Sequence, residues 1–449
     1  MNSRRRSSKI ALAAVSVGFM IVVLDAAALS VAIPDIKRAF GGSLASVQWV
    51  SNAYVVTFAG FMLSAGRVAD RWGAKRTLLA GVAAFTITSV LCAVSPNISV
   101  LIVFRFLQGT AGAVLVTSAF SLIAHVFPGS DERAHALAML NLCGSIGLTS
   151  GPLLAGVLVD TLSWRWVFLL NIVTGAFVAL GLRLVSNPDP QRRLSVDIAG
   201  QILSVLSLGG LATALIEGRA LGWTAPLTIT GALVFIVAGI AFIAVERRRI
   251  DPMLPLSLFR TRSFTAGSVA VGVWRGSLYG LLFFLAFYFQ HSHGFSSTLT
   301  GVAFIPITVT PLVSNYFSGS GIARWGSRFV AISGFAISAV GAGILFIASV
   351  TSGDYWLIGI ALGLIGFGGG WAMPAVGHAA LFNVPQQFSG IAAGVFNACG
   401  QTGALIGVAL LGSLASGNAQ LDLGTGATAV GALLVLTAVL LRRGLTVRT

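Results

Sequence analysis

Asp25 is the one acid that falls deep inside an apolar run of either long half of this chain. A carboxylate near the centre of a bilayer costs roughly 2.5–3.5 kcal/mol on insertion scales. A carboxyl in which burial is weighed against a neighbouring cation is suited to binding and releasing a proton. The alternative is a structural acid that hydrogen-bonds a neighbouring helix. Arg105 lies several residues inside its own apolar run. It must pair, snorkel or face a water-filled cavity, and the plainer reading is an ion pair or a tether to backbone carbonyls. Arg275 is a third interior charge, within Val271-Gly-Val-Trp-Arg-Gly-Ser-Leu-Tyr279. A cation lining a cavity would favour anionic or neutral ligands over cationic ones; a polar partner on another helix is the alternative. Tyr54, Gln108, Asn141, Trp274, Tyr279, Asn315, Trp371, His378, Asn397 and Gln401 are further polar or aromatic residues within apolar runs. They could hydrogen-bond or stack on a small molecule in an apolar pocket, or simply hold helices together. His378 is the one suited to a proton switch.

A different chemistry gathers in Gly66-Arg-Val-Ala-Asp-Arg-Trp-Gly-Ala-Lys-Arg76, which holds four cations, one acid and two glycines. It reads as a charged turn between two apolar runs, with glycines for the reversal and cations holding it at a cytoplasmic membrane face. A weaker copy stands at Gly319-Ser-Gly-Ile-Ala-Arg-Trp-Gly-Ser-Arg328, with Ala323 where the first copy has Asp70.

The elements that carry these residues follow from composition. The 449 residues are 56% hydrophobic and 9% charged, against about 25% charged in a soluble domain. Apolar runs of membrane-spanning length recur throughout. Fourteen are expected, beginning near Ile10, Val47, Thr77, Ser99, His135, Trp166, Val196, Pro226, Phe264, Leu299, Phe329, Trp356, Ser389 and Ala427. The net charge of +15 resides in the connections between runs. It therefore reads as positive-inside bias and contact with anionic lipid heads, with no nucleic-acid partner. Arg4, Lys9, Arg67–Arg76, Arg133, Arg183, Arg247–Arg262, Arg324 and Arg442 fall on one side, and only Lys37, Arg38, Arg165 and Arg219 on the other. Both termini are then cytoplasmic, and the basic start before Ile10 reads as leading into an uncleaved first span. Cys92, Cys143 and Cys399 lie in apolar runs without metal-like spacing and imply no disulfide.

A second repeat pairs Asn141-Leu-Cys-Gly-Ser-Ile-Gly147 with Asn397-Ala-Cys-Gly-Gln-Thr-Gly403, eight runs later, the same offset as the charged turn. The layout is two six-helix halves, 1–185 and 263–449, around two inserted helices within 186–262. Duplicated halves with a site between them near the midplane are transporter architecture.

These residues carry a family resemblance over essentially the whole chain. The sequence resembles the fourteen-span drug:proton antiporters of the major facilitator superfamily, and among them the methylenomycin-resistance type of exporter. The likeness rests on Gly66–Arg76, on Leu24-Asp-Ala-Ala-Ala-Leu-Ser-Val-Ala-Ile-Pro34 and on Arg105-Phe-Leu-Gln-Gly109. It rests also on Gly144–Gly156 with Gly151-Pro152, on Trp164-Arg-Trp166 with Phe168 and Asn171, and on Asp251-Pro-Met-Leu-Pro-Leu256. The resemblance implies an all-α membrane protein of the major facilitator fold, working as a monomer in a bacterial cell membrane. It implies proton coupling through Asp25 and Arg105, with Arg105 tuning an acid such as Asp25. Gly66, Asp70, Arg71, Gly73, Lys75 and Arg76 would form a conformational latch, weakened in the second copy by Ala323. Gly147, Gly151, Pro152 and Gly156 would mark an exporter and limit proton leak; Val408 stands where the second copy would have the proline.

The expected function is export of small amphiphilic drugs or antibiotics, neutral or acidic in preference to dicationic, in exchange for protons. A lipid or metabolite exporter is the alternative within transport. A membrane enzyme would need clustered acids, histidines or a metal set at one face, and the five histidines are scattered. A non-transporting sensor would need a further soluble domain. There is no Gly-rich Lys-Ser/Thr nucleotide loop, and no metal or other cofactor is expected.

Overall fold

The computed structural model describes residues 2–183, 197–249, 251–351, 354–382, 384–385, 388–416 and 419–445. They are helical almost throughout: α1 (Asn2–Phe40), α2 (Leu44–Trp72), α3 (Ala74–Ala93), α4 (Ile98–Val126), α5 (Ser130–Thr161), α6 (Arg165–Arg183), α7 (Ile198–Leu221), α8 (Pro226–Arg248), α9 (Arg262–Phe287), α10 (Ser297–Ala303), α11 (Ile305–Val350), α12 (Tyr355–Phe382), α13 (Ser389–Gly412) and α14 (Ala419–Gly444). Twelve helical stretches among the described residues are long and apolar enough to cross a membrane. One of them, Ser297–Val350, reverses direction at Gly326. The 29-residue α2 is a further long helix outside those twelve.

Local chemistry sets the ends. Ser43 and Asn97 cap α2 and α4 by accepting from the amides of Ser46 and Val100, and Asp197 caps α7 at the Gly200 amide. The charged stretch Gly66–Arg76 departs from the expected turn. Helix α2 continues through Trp72, and the reversal occupies Gly73 alone, at φ +93°. Its counterpart Gly326 takes φ +79°; both occupy left-handed backbone that glycine accepts without strain. Gly66 is helical, with open space around it. A helix whose end is rich in arginine can satisfy its own backbone into the interface while its cations reach water, so no longer turn is needed.

Within the first half, α1 packs on α5 and α6, α2 on α4, and α3 on α4 and α6; in the second, α9 packs on α13, and α11 on α12 and α14. The hairpin α7–α8 lies outside this arrangement and fastens to α2. Near one end Trp49 Nε1 donates to Glu217 Oε1 at 3.0 Å. Toward the other Ser64 Oγ bonds Gln201 Oε1. Arg67 then holds the carbonyls of Asp251 and Pro252 at 3.0 and 2.7 Å, and Arg249 pairs with buried Asp197 at 2.7 Å. The outer face of α8 exposes Ile236, Val237 and Ile240.

Candidate functional site

The site is built on α1, α2, α3, α4 and α6, each contributing one or two polar groups to an otherwise apolar junction. Asp25 from α1 and Arg105 from α4 are both 1% exposed. Arg105 NH1 donates to Asp25 Oδ2 at 2.8 Å and to Gln108 Oε1 at 2.6 Å. Its Nε donates to the Val50 carbonyl of α2 at 3.0 Å. Asp25 Oδ1 accepts from Gln108 Nε2 at 3.1 Å and from Asn171 Nδ2 at 2.9 Å. The same two amides also donate to Ser89 Oγ, at 2.9 and 3.1 Å. The Tyr54 ring lies under the guanidinium, 4.4 Å from its centre. Among the described residues this is the one ion pair fully buried on both sides.

Sequence spacing explains part of this arrangement. Gln108 is one helical turn from Arg105 and so shares its face. It belongs to this network and is fully buried, so the structure places it here and away from any cavity wall. Ser89 carried no signal in the sequence, and Asn171 carried only its place in a motif; both come to Asp25 through helix packing. That packing depends on glycine. A Cβ at Gly147 would lie 2.5 Å from the Met20 carbonyl, and one at Gly151 2.9 Å from the Leu24 carbonyl. Helix α5 thus seats directly on the backbone that presents Asp25.

The halves meet differently at their two ends. At the end bearing Lys37, Arg38 and Arg165 they are closed. Asp160, at the end of α5, accepts from the amides of Ser297 and Thr298 at 3.1 and 2.7 Å. Asp35 accepts from Ser297 Oγ at 2.9 Å, and Gln290 donates to the Val31 carbonyl at 3.0 Å. Gln48 donates to the Val408 and Ala409 carbonyls at 3.1 and 2.9 Å. Gly156 would bring a Cβ within 2.4 Å of the Ser297 carbonyl, and Gly301 within 2.5 Å of the Pro152 carbonyl. At the arginine-rich end, Asn141 on α5 and Asn315 on α11 are exposed.

In the second half, Arg275 NH2 donates to Asn397 Oδ1 at 3.0 Å, and its stem crosses Gly400. No carboxylate pairs with Arg275 among the described residues. Tyr279, one turn on, stands close enough to Arg275 and to Tyr54 to act on both electrostatically, which brings the two halves' polar groups toward each other. Gln401 is half-buried on α13, one turn from Asn397. Trp274 is instead wedged against Gly369 of α12. Trp371 donates to Ser333 Oγ at 3.0 Å, and His378 Nδ1 is 2.9 Å from Ser327 Oγ beside the Gly326 reversal. These last three are held within the second bundle.

Of the charged stretch, Arg71 and Arg76 are exposed and Lys75 is half-buried. Asp70 is in α2, but its side chain lies outside the described residues. The buried cation of the stretch is Arg67, which sequence reading grouped with its neighbours.

Two helical halves sealed at one end, with a buried acid–base network inside the first half, fit a multi-pass membrane protein of the transporter class. Residues 15–408 match the family model of the Major Facilitator Superfamily, and the chain belongs to that family. It is 32% identical to the multidrug resistance protein Stp of Mycobacterium tuberculosis, over 91% of this chain and 76% of that one. It is 31% identical to a methylenomycin A resistance protein of Streptomyces coelicolor, over 93% and 88%. Its fold is similar to the crystal structure of a D-xylose-proton symporter, with TM-score 0.69 and 13% identity over 97% of each chain.

Proposed function

We propose that this protein exports small amphiphilic drugs or antibiotics in exchange for protons, by alternating access across a bacterial cell membrane. The relatives' names support drug efflux. The observation that carries proton coupling is the contact of Asp25 with Arg105, Gln108 and Asn171 in a site shielded from water. The reading includes fourteen traverses with both termini in the cytoplasm, two six-helix halves and the inserted pair α7–α8.

With the arginine-rich end cytoplasmic, the end at which the halves close on each other faces outward. Arg105 is the counter-ion of the Asp25 carboxylate. A proton arriving at Oδ2 neutralises the acid and removes the attraction to NH1, while Val50 and Gln108 still hold the guanidinium. Helix α1 then keeps only the neutral hydrogen bond from Gln108 Nε2 to Oδ1 as a polar tie to α4, and moves more readily against it. Because α5 rides on α1 at Gly147 and Gly151, the shift reaches Gly156 and Asp160, where α5 closes against α10. Asp70 and Arg71 are the proposed latch of the opposite state.

Inside-out vesicles made acidic within would test this. Candidate acidic, neutral and cationic compounds are added and lumenal pH is followed by dye fluorescence. Substrate-induced proton release that is lost in Asp25→Asn is expected. Release that survives in that variant would overturn the assignment of Asp25.

A further inference from the structure

Contacts between helices fix which residues of the two halves correspond, more finely than the sequence repeat does. In the first half Gly147 and Gly151 of α5 seat on the carbonyls of Met20 and Leu24 of α1; in the second, Gly403 and Gly407 of α13 seat on those of Gly272 and Gly276 of α9. Asp25, which follows Leu24, therefore corresponds to Ser277. On the far side of the network, Gly109 of α4 meets the Tyr54 carbonyl and the Thr57 hydroxyl of α2, just as Gly366 of α12 meets the Ile307 carbonyl and the Thr310 hydroxyl of α11. The two threonines donate to matching carbonyls, Phe106 at 2.7 Å and Gly363 at 2.9 Å. Arg105 and Gln108 therefore correspond to Leu362 and Ile365. Gly81 of α3 lies against the Leu115 amide of α4, and Gly334 of α11 against the Ala372 amide of α12. By that register Ser89 corresponds to Ala342.

The second half thus keeps the frame of the buried network without its chemistry. Ser277, Leu362, Ile365 and Ala342 are all buried, where the first half has a carboxylate, a guanidinium, an amide and a hydroxyl. A serine hydroxyl donates and accepts hydrogen bonds but takes up no proton, and three alkyl side chains offer it no partner. No other carboxylate replaces the missing one. Between Asp251 and Asp422 the sequence holds one acid, Asp354, in the connection between α11 and α12. His378 is held on Ser327 at the Gly326 reversal. In the first half and the hairpin, the other acids stand at helix ends. Asp35 and Asp160 hold the closed end, Glu217 holds Trp49, and Asp197 and Glu246 hold Arg249 and the Leu254 amide. Asp70, Asp131 and Glu132 lie at the arginine-rich ends of α2 and α5.

We infer that the molecule carries a single coupling carboxylate, so that one proton is exchanged for each substrate molecule and the second half is proton-inert. The inference rests on the export reading and adds its charge balance. One proton entering against one neutral molecule leaving carries one positive charge inward. Membrane potential and pH gradient therefore both drive export of a neutral compound. A monovalent cation leaving cancels the charge of the proton, and its export answers to the pH gradient alone.

The test uses the full chain in proteoliposomes at equal pH on both sides, with a potassium gradient and valinomycin setting the membrane potential. The probe is radiolabelled chloramphenicol, a neutral amphiphile, at a tenfold gradient, and its flux is counted above that of protein-free vesicles. With one proton per molecule the flux should reverse at about 59 mV, and with two at about 30 mV. Reversal near the lower value reveals a second coupled proton; it overturns the inference and leaves the export reading intact. Flux that ignores the potential, or no protein-dependent flux, overturns proton-coupled export and the inference with it. In Asp25→Asn the dependence on potential should vanish. An unchanged reversal potential in that variant would place the exchanged proton on another group and overturn the single-site assignment.

Discussion

Arg105 satisfies four neighbours at once: the Asp25 carboxylate, the Gln108 amide oxygen, the Val50 carbonyl and the face of Tyr54. A lysine could place charge there but not the planar fork that reaches a second helix through Nε. Arg105→Lys should therefore retain folded protein and lose most coupled transport. Wild-type pH dependence of export in that variant would contradict the assignment. Arg105→Ala leaves a buried carboxylate without its cation, a change of about 3–5 kcal/mol. Its thermal unfolding in detergent should begin markedly earlier, and the double variant Asp25→Asn/Arg105→Gln should recover much of the loss without recovering transport. Recovery of both would reduce the pair to structure alone. Asp25 and Arg105 were legible because an isolated charge in an apolar run is costly and must be compensated. Their partners were less so. Gln108, Ser89 and Asn171 are ordinary helix residues until α3, α4 and α6 bring them to one point, and no local pattern encodes that convergence.

At the scale of elements, glycine decides how closely the helices approach. Helices α9 and α13 touch through their backbones: a Cβ on Gly403 or Gly407 would lie 2.0 Å from the carbonyl of Gly272 or Gly276. No flexible side chain stands there to yield. Gly407→Val should cost about 1–3 kcal/mol or more by overpacking, with a clear drop in folded yield, whereas Gly343→Ala, where nothing lies within 4 Å, should be silent. Equal yields would show that the close contact is dispensable. Asp160 presents the second test at this scale. Its carboxylate bridges two amides at the start of α10, a favourable position for negative charge. Asp160→Ala should shift the population toward the state open at that end. Faster labelling of a cysteine introduced at Ser297 would report it, and unchanged labelling would refute the lock. Helix existence was readable from hydropathy, but the basic start of α1 at Asn2 and the polar start of α14 at Ala419 lie well before the apolar runs expected near Ile10 and Ala427. The single-residue reversal at Gly73 was not, because Gly66 and Gly73 look alike in sequence and only backbone geometry separates a helical glycine from one at positive φ.

At the scale of the molecule, the repeat suggests two halves and an insertion, but carries no sign of where the insertion packs. That depends on small and polar residues of α2 and α7 meeting face to face, such as Gly60 with Val205 and Trp49 with Glu217. The halves are also unequal in charge. The first neutralises its interior arginine with Asp25; the second leaves Arg275 with an amide partner, Asn397, and no carboxylate among the described residues. If Arg275 lines the proposed substrate path, its charge sets the sign of that interior. A second cation about 10 Å from Arg275, at an effective dielectric of about 20, is opposed by about 1.7 kcal/mol, or roughly tenfold to twentyfold in affinity. A neutral compound escapes this term, and an acidic one gains from it. For a matched set of amphiphiles differing only in charge, export should rank acidic and neutral compounds above the quaternary ammonium. Arg275→Gln should narrow that ranking chiefly by improving the cation, because the amide keeps a donor for Asn397 while removing the charge. Better export of the cation than of the acid by the unmodified protein would overturn this account of selectivity. A ranking unchanged by Arg275→Gln would place its origin elsewhere in the cavity.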